Sequence, residues 1–171
     1  MKNKEFITKT FKDEQFVNTD FSGSEFSECV FDHCELSLVN LTNVGLKAVT
    51  FRNCKLIGVD FTKCTINFFE LVFEDCLIDT CNFSGLPMNK TPFIDCTIRE
   101  CNFVGTNLED VVFDGCNLEK TLFHNAKLDR ADFSSAKHYA INPVANSIKG
   151  AKFSLPDAVS LLAGLDIELI N

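Results

Sequence analysis

Nine cysteines, three histidines and 24 acidic residues are the side chains of this 171-residue chain that could do chemistry. Thiolates attack electrophiles or hold zinc, imidazoles move protons, and paired carboxylates share acid and base roles. Each of those tasks needs a particular spacing. The cysteines at 29, 34, 54, 64, 76, 81, 96, 101 and 116 are separated by multiples of five, apart from the twelve between Cys64 and Cys76. Thiols set out in a straight column at such intervals cannot supply a tetrahedron of thiolates for zinc. Of the histidines His33, His124 and His138, the first two fall on different sides of a five-residue repeat with no outward-facing Ser or Cys in a fixed array, and the pairs Glu74–Asp75 and Glu109–Asp110 read as solvated corners. No phosphate loop, zinc helix or nucleophile elbow occurs. The expectation is a chain with no catalytic centre, no metal and no cofactor, hence not an enzyme.

The fives belong to the whole chain. Large apolar residues stand at Phe6, Phe11, Phe16, Phe21, Phe26, Phe31, Leu36, Leu41, Leu46, Phe51, Leu56, Phe61 and Ile66. The beat slips by two in Asn67-Phe68-Phe69-Glu70, then runs from Phe73 through Ile78, Phe83, Met88, Phe93, Ile98, Phe103, Leu108, Phe113, Leu118, Phe123 and Leu128 to Phe133. Fifteen of the 18 Phe are on this grid, with Phe68 and Phe69 in the break and Phe153 in the tail. Five is the period of neither a helix nor a flat strand. Two residues before most centres stands a small one, and every cysteine is in that slot. Two residues after, Gly, Asn or Asp recurs (Asp13, Asn18, Gly23, Asn43, Asn53, Gly58, Gly85, Asp95, Gly105, Gly115, Asn125), the types that tolerate tight turns.

The pattern small–Asp/Asn–Phe/Leu–x–x over about residues 4–136 resembles the pentapeptide repeat family. That resemblance implies a right-handed quadrilateral β-helix, all-β, with one pentapeptide per side and four per coil. The centre and the small residue then point inward. From Phe51 onward the centres alternate Phe with Leu, Ile or Met, a ten-residue alternation that by itself asks for four sides. With 20 residues per coil, and 22 across the break, one wall stacks Phe11, Phe31, Phe51, Phe73, Phe93, Phe113 and Phe133. The break then bulges from a corner and skips no wall. About six to seven coils fit residues 1–136, with 137–171 left as a terminal cap.

The same stacking sorts the thiols and the charges. Cys34, Cys54, Cys76, Cys96 and Cys116 fall in one column about 4.8 Å apart, which permits disulfides, but an odd count in a reducing compartment argues against them. Buried, unreactive thiols acting as small hydrophobes are expected. The all-Phe wall collects Asp13, Asp32, Glu74, Asp75, Asp95, Asp114 and Asp132 against Lys12 and Arg52, whereas the opposite wall carries only Asp20 and Asp60 with Lys63. Net charge is −8, so the chain does not bind nucleic acid by neutralising phosphates. Acidic corners keep a rod soluble. Carboxylates spaced along a rod also imitate duplex phosphates and would meet a basic surface built for DNA.

The resemblance adds a partner. Quinolone-resistance and gyrase-inhibitor members of the family are acidic homodimeric rods that bind DNA gyrase or topoisomerase IV, and they end in a short helix that joins two rods. The implied function is a DNA mimic on a type II topoisomerase, with an interaction scaffold for some other protein as the alternative. Ser154 to Gly164 reads as a short helix behind Pro156, and Leu165 to Ile170 alternates like a strand. Leu155, Val159, Leu161, Leu162, Leu165 and Ile167 are the expected dimer contacts, and Ile148 and Phe153 the closing partial coil. No segment reaches the roughly 18 apolar residues of a membrane span. The start Met1-Lys2-Asn3-Lys4-Glu5-Phe6 lacks the apolar run of a signal peptide. The cytoplasm is the expected compartment.

Overall fold

The computed structural model describes residues 1–165, 167 and 170. Short strands stack in parallel at coil spacing into three ladders of three, eight and five strands. We number the walls in chain order. The first begins at Glu5–Ile7, the second at Thr10–Lys12 and the third at Gln15–Val17. A fourth wall is joined by isolated parallel bridges such as Asp60 to Asn82 and Asn82 to Asn102. The eight-stranded ladder is the second wall. Its register pairs Phe11 with Phe31, Phe31 with Phe51, Phe51 with Phe73, Phe73 with Phe93 and Phe93 with Phe113. The column expected from the five-residue beat is therefore present, and the break skips no wall.

The interior explains why one ring dominates the composition. Phe rings on the second wall stack at 4.7–5.4 Å between centroids from Phe11 to Phe153, with interplanar angles of 3–23°. Phe61, Phe83, Phe103 and Phe123 stack in the same way on the fourth wall. The two columns meet edge to face, as Phe93 and Phe103 do at 6.2 Å and 86°. Offset stacks and edge contacts are both favoured by the ring quadrupole, at about 0.5–1.5 kcal/mol per pair beyond burial.

The small slot faces the backbone of the coil before. Cys34, Cys54 and Cys116 donate weakly to the carbonyls of Phe11, Phe31 and Phe93 at 3.3–3.4 Å. Thr106 and Thr121 donate from the equivalent slot to Phe83 and Ile98 at 2.8 and 3.0 Å. A residue here must be small, and one that also donates satisfies a spare carbonyl lone pair. All eleven Gly, Asn and Asp corners named above have φ between +50° and +70°. This left-handed region is open to Gly and tolerated by Asn and Asp. Gly45 has a different reason: a Cβ there would lie within 3 Å of the Glu25 carboxylate.

One inward assignment is corrected. Ile66, a centre on the five-residue grid, is 61% exposed, and Phe69 packs against the core instead. The Thr65 N–H donates to Val44 O before the bulge, and the Glu70 N–H to Leu46 O after it. Between those anchors the two extra residues turn the larger ring inward. Phe68 is left 78% exposed.

Past 136 the beat fails but the stacking continues. Lys152–Phe153 pairs with Asp132–Phe133, Tyr139 and Ile141 are buried, and Ile148 packs against the core. Ile148 and Phe153 thus belong to a last, irregular coil. The terminal helix is a 3-10 helix over Asp157–Leu165, and its Leu161 leans on the chain's own core. Of the strand expected over Leu165–Ile170, Asp166, Glu168 and Leu169 lie outside the described residues. Among those described, no helix is long and apolar enough to cross a membrane.

Candidate protein-binding face

The all-Phe wall turns its acidic residues outward, and the structure divides them into two groups. Glu74 pairs with Arg52 at 2.9 Å and Asp132 with Lys152 at 2.9 Å. Asp32 accepts from Asn53 Nδ2 at 3.2 Å and sits 2.9 Å from His33 Nδ1. The Asn53 hydrogen bond, with His33 beside it, holds the Asp32 carboxyl below the usual range. Asp132 also accepts from the Ser134 hydroxyl and N–H, and these bonds with the Lys152 ammonium hold its pKa at about 2. These three carboxylates brace the coils.

The other four are free of cations. Among the described residues no cation lies within 4 Å of Asp13, Asp75, Asp95 or Asp114, and all four are exposed. The Asp114 carboxylate accepts from the Ser135 hydroxyl at 2.7 Å. Asp13, Asp75 and Asp95 occupy the left-handed corner, at φ +55°, +51° and +50°. His33 and Asn53 fill that corner in the coils between Asp13 and Asp75. The expected regular stripe is therefore a contiguous cluster of Asp75, Asp95 and Asp114 over three successive coils, with Asp13 apart near the N-terminal end. Coils about 4.8 Å apart hold those like charges close, where they repel one another and attract an extended basic surface.

The opposite wall uses its carboxylates differently. Asp20 accepts the Ser22 N–H at 3.0 Å and Asp60 the Thr62 N–H at 3.1 Å, and Asn40, Asn82 and Asn102 do the same for Thr42, Ser84 and Val104. From Phe21 to Phe103 the residue before each centre on this wall thus closes a side-chain turn, whereas Leu122 before Phe123 does not. The sequence signal was already there, since Asp and Asn interchange in that column.

No thiol or imidazole gathers into a site. All nine cysteines are buried and free. Burial pushes the Cys64 thiol up to about 12. Within the column, hydrogen bonds between neighbouring thiols, and then burial, push Cys76 and Cys116 up as well. His138 contacts Asn117 Oδ1 at 3.0 Å on another wall from His33. Among the described residues no cluster of three or more His, Cys, Asp or Glu could hold a metal ion.

Two features escaped the sequence reading. Lys152 stands one coil of 20 residues after Asp132, on the same count that sets Phe153 over Phe133, but the sorting of charges by wall stops short of the tail. The residue before each Phe on the acidic wall is mostly apolar or β-branched: Val30, Thr50, Val72, Pro92 and Val112. The coil spacing that aligned the carboxylates would have aligned these too.

At the C-terminal end Leu155, Val159, Leu165 and Ile167 are exposed, Leu162 is half-buried and Leu161 packs inward. Because a 3-10 helix repeats every three residues, Val159, Leu162 and Leu165 share one stripe.

No curated protein sequence matches the chain. Two structures of trypsin-treated variants of QnrB1, a plasmid-mediated fluoroquinolone resistance protein, match at a TM-score of 0.69 and 18% identity. The first match covers 99% of this chain and 94% of that one, the second 97% and 90%. HetL, a pentapeptide repeat protein involved in heterocyst differentiation regulation from the cyanobacterium Nostoc, matches at 0.49 and 13%, over 90% and 87%. The family model for the pentapeptide repeat region matches residues 4–83 and 66–153. Across that span five-residue sides, small inward slots and left-handed corners recur coil after coil, and the chain belongs to the pentapeptide repeat family.

Proposed function

We propose that this protein is a non-catalytic, acidic rod that binds a type II topoisomerase, DNA gyrase or topoisomerase IV, at the surface meant for DNA, and so modulates the enzyme or protects it from quinolones or toxins. The observation that carries the reading is the cluster of Asp75, Asp95 and Asp114 over three successive coils, exposed and, among the described residues, without a cation partner, on a wall where Asp32, Glu74 and Asp132 are paired. Duplex DNA places one charge per roughly 1.7 Å of axis over two strands. One or two carboxylates per coil of about 4.8 Å approach the density of a single strand. The likeness to QnrB1, a fluoroquinolone resistance protein, supports this choice of partner.

The rod is proposed to act as a homodimer in the cytoplasm, joined through Leu155, Val159, Leu162, Leu165 and Ile167. The exposed apolar side chains of this end support that contact, since a two-fold junction would cover them. Pull-down of gyrase and topoisomerase IV subunits at low and raised salt tests the partner. Capture that fades as salt rises is expected from charge attraction; no capture of either enzyme at low salt refutes the reading and leaves a scaffold for an unrelated protein.

A further inference from the structure

The acidic wall carries more than charge. In the outward position just before each Phe, Val30 is in register with Thr50, Thr50 with Val72, and Pro92 with Val112. Ile94 adds a further apolar side chain at the position after Phe93. The corresponding positions elsewhere are mainly polar. The third wall has Gln15, Glu35, Lys55, Thr97 and Asn117 with one apolar residue, Leu77, and the fourth has the turn-forming Asp20, Asn40, Asp60, Asn82 and Asn102 with one, Leu122. An imitation of phosphates alone has no use for an apolar row.

The row runs into a groove. Val72 and Pro92 are also one side of a depression of about 390 Å³ beside the break, where Phe68, Phe69 and Pro87 supply apolar surface and Lys47, Lys90 and Glu70 its charged lining. Phe68 stands 78% exposed there, with the Lys47 ammonium 5.6 Å from its ring centroid. Across the wall from those lysines lie Asp75, Asp95 and Asp114. The face therefore has an apolar middle, an anionic flank and a flank where two lysines outweigh Glu70.

We infer that this face docks one protein segment of matching polarity: a large apolar side chain that enters the groove against Phe68, Lys or Arg on the side of Asp75, Asp95 and Asp114, and no cation on the side of Lys47 and Lys90. The inference rests on the topoisomerase reading and deepens it. The partner contributes an apolar anchor as well as its DNA-binding cations, and the two cationic rim residues fix the orientation. Buried apolar anchors at the centre of an interface carry most of its affinity, while rim charges govern rate and salt dependence.

The experiment is equilibrium binding of the full chain to purified DNA gyrase and to topoisomerase IV, each at low and raised salt. The variants are Phe68→Ser, Val112→Thr and the triple change of Asp75, Asp95 and Asp114 to Asn. Thermal melts verify that each variant is folded; Phe68 and Val112 are exposed, and Val112→Thr keeps a β-branched residue in the strand. Phe68→Ser is expected to weaken binding about tenfold at both salts with the salt slope unchanged, and the triple change to flatten the slope. If Phe68→Ser and Val112→Thr bind like the unmodified chain while the triple change weakens binding, the apolar anchor is wrong and the charge-only mimic stands. If the unmodified chain binds neither enzyme, both readings fall.

Discussion

Replacing Phe93 by alanine tests the solenoid where it is most regular. Phe93 is fully buried, stacked on Phe73 at 4.9 Å and 3° and on Phe113 at 5.0 Å and 15°, and edge-on to Phe103 at 6.2 Å. Emptying such a slot removes the transfer term and leaves a cavity that stiff neighbouring coils cannot close, at about 3–5 kcal/mol. Two stacked partners account for about 1–3 kcal/mol of that, at about 0.5–1.5 per pair. Phe6 is the internal comparison. It is only partly buried, has one stacked neighbour, Phe26 at 4.9 Å, and lies at the open end. Phe6→Ala should therefore cost about half as much, near 2 kcal/mol. An outward change, Thr97→Ala, should stay within about 0.5 kcal/mol. Asn102→Ala is a poorer control, because Asn102 accepts the Val104 N–H at 3.0 Å. Urea denaturation followed by circular dichroism reads all three. Coils touch only their neighbours, so a lower m-value for Phe93→Ala would report the rod parting at that coil. A Phe93→Ala loss no larger than that of Phe6→Ala would refute the argument that stacking in the interior column holds the rod together.

Other expectations follow from the same geometry. The nine thiols should label slowly with a disulfide reagent until denaturant is added, because all are buried; fast native labelling of several would overturn their inward placement. Asp132 has its pKa lowered to about 2 by Ser134 and Lys152, so its contribution is present above the unfolded carboxyl value near 3.9 and is lost as pH falls from there through about 2. The single Tyr139, packed on Phe133 and Phe153, should report this as a fluorescence change across that window, absent in Asp132→Asn; an unchanged acid transition in the variant would remove Asp132 from the account. The full chain should sediment as a dimer at micromolar concentration and Leu155→Asp with Val159→Asp as a monomer; this tests the contact better than truncation after Ala136, which would also remove Phe153 from its stack on Phe133. A monomer in the unmodified chain would reject the dimer.

The architecture was legible in the sequence because one physical demand repeats in every coil. A five-residue side needs a large inward residue, a small inward residue and a left-handed corner, and Phe51, Val49 and Asn53 already display all three. The reading lost its hold where the repeat is interrupted. At the break, Ile66 and Phe69 competed for one interior slot, and strict counting by five chose Ile66 although the larger ring buries more apolar surface. In the tail, Phe153 was expected to close a partial coil and does; the same 20-residue step sets Lys152 beside Asp132, but register alone does not show that the two side chains pair. The acidic wall was found as a column, yet position alone cannot separate Glu74, neutralised by Arg52, from Asp75, which has no cation beside it. That distinction depends on which side chains reach one another between coils.

The central claim concerns those free carboxylates on a topoisomerase, and a supercoiling assay with purified gyrase, with and without a quinolone, tests it most directly. The unmodified protein should alter supercoiling or drug-induced cleavage. Changing Asp75, Asp95 and Asp114 together to Asn should leave the fold intact and sharply reduce that effect, because three contiguous outward charges are lost. Changing Asp20 and Asp60 to Asn on the opposite wall should do little, because Asn retains the oxygen that accepts the Ser22 and Thr62 N–H groups. An unmodified protein without effect on gyrase or topoisomerase IV, or a triple variant as active as the unmodified chain, would contradict the account.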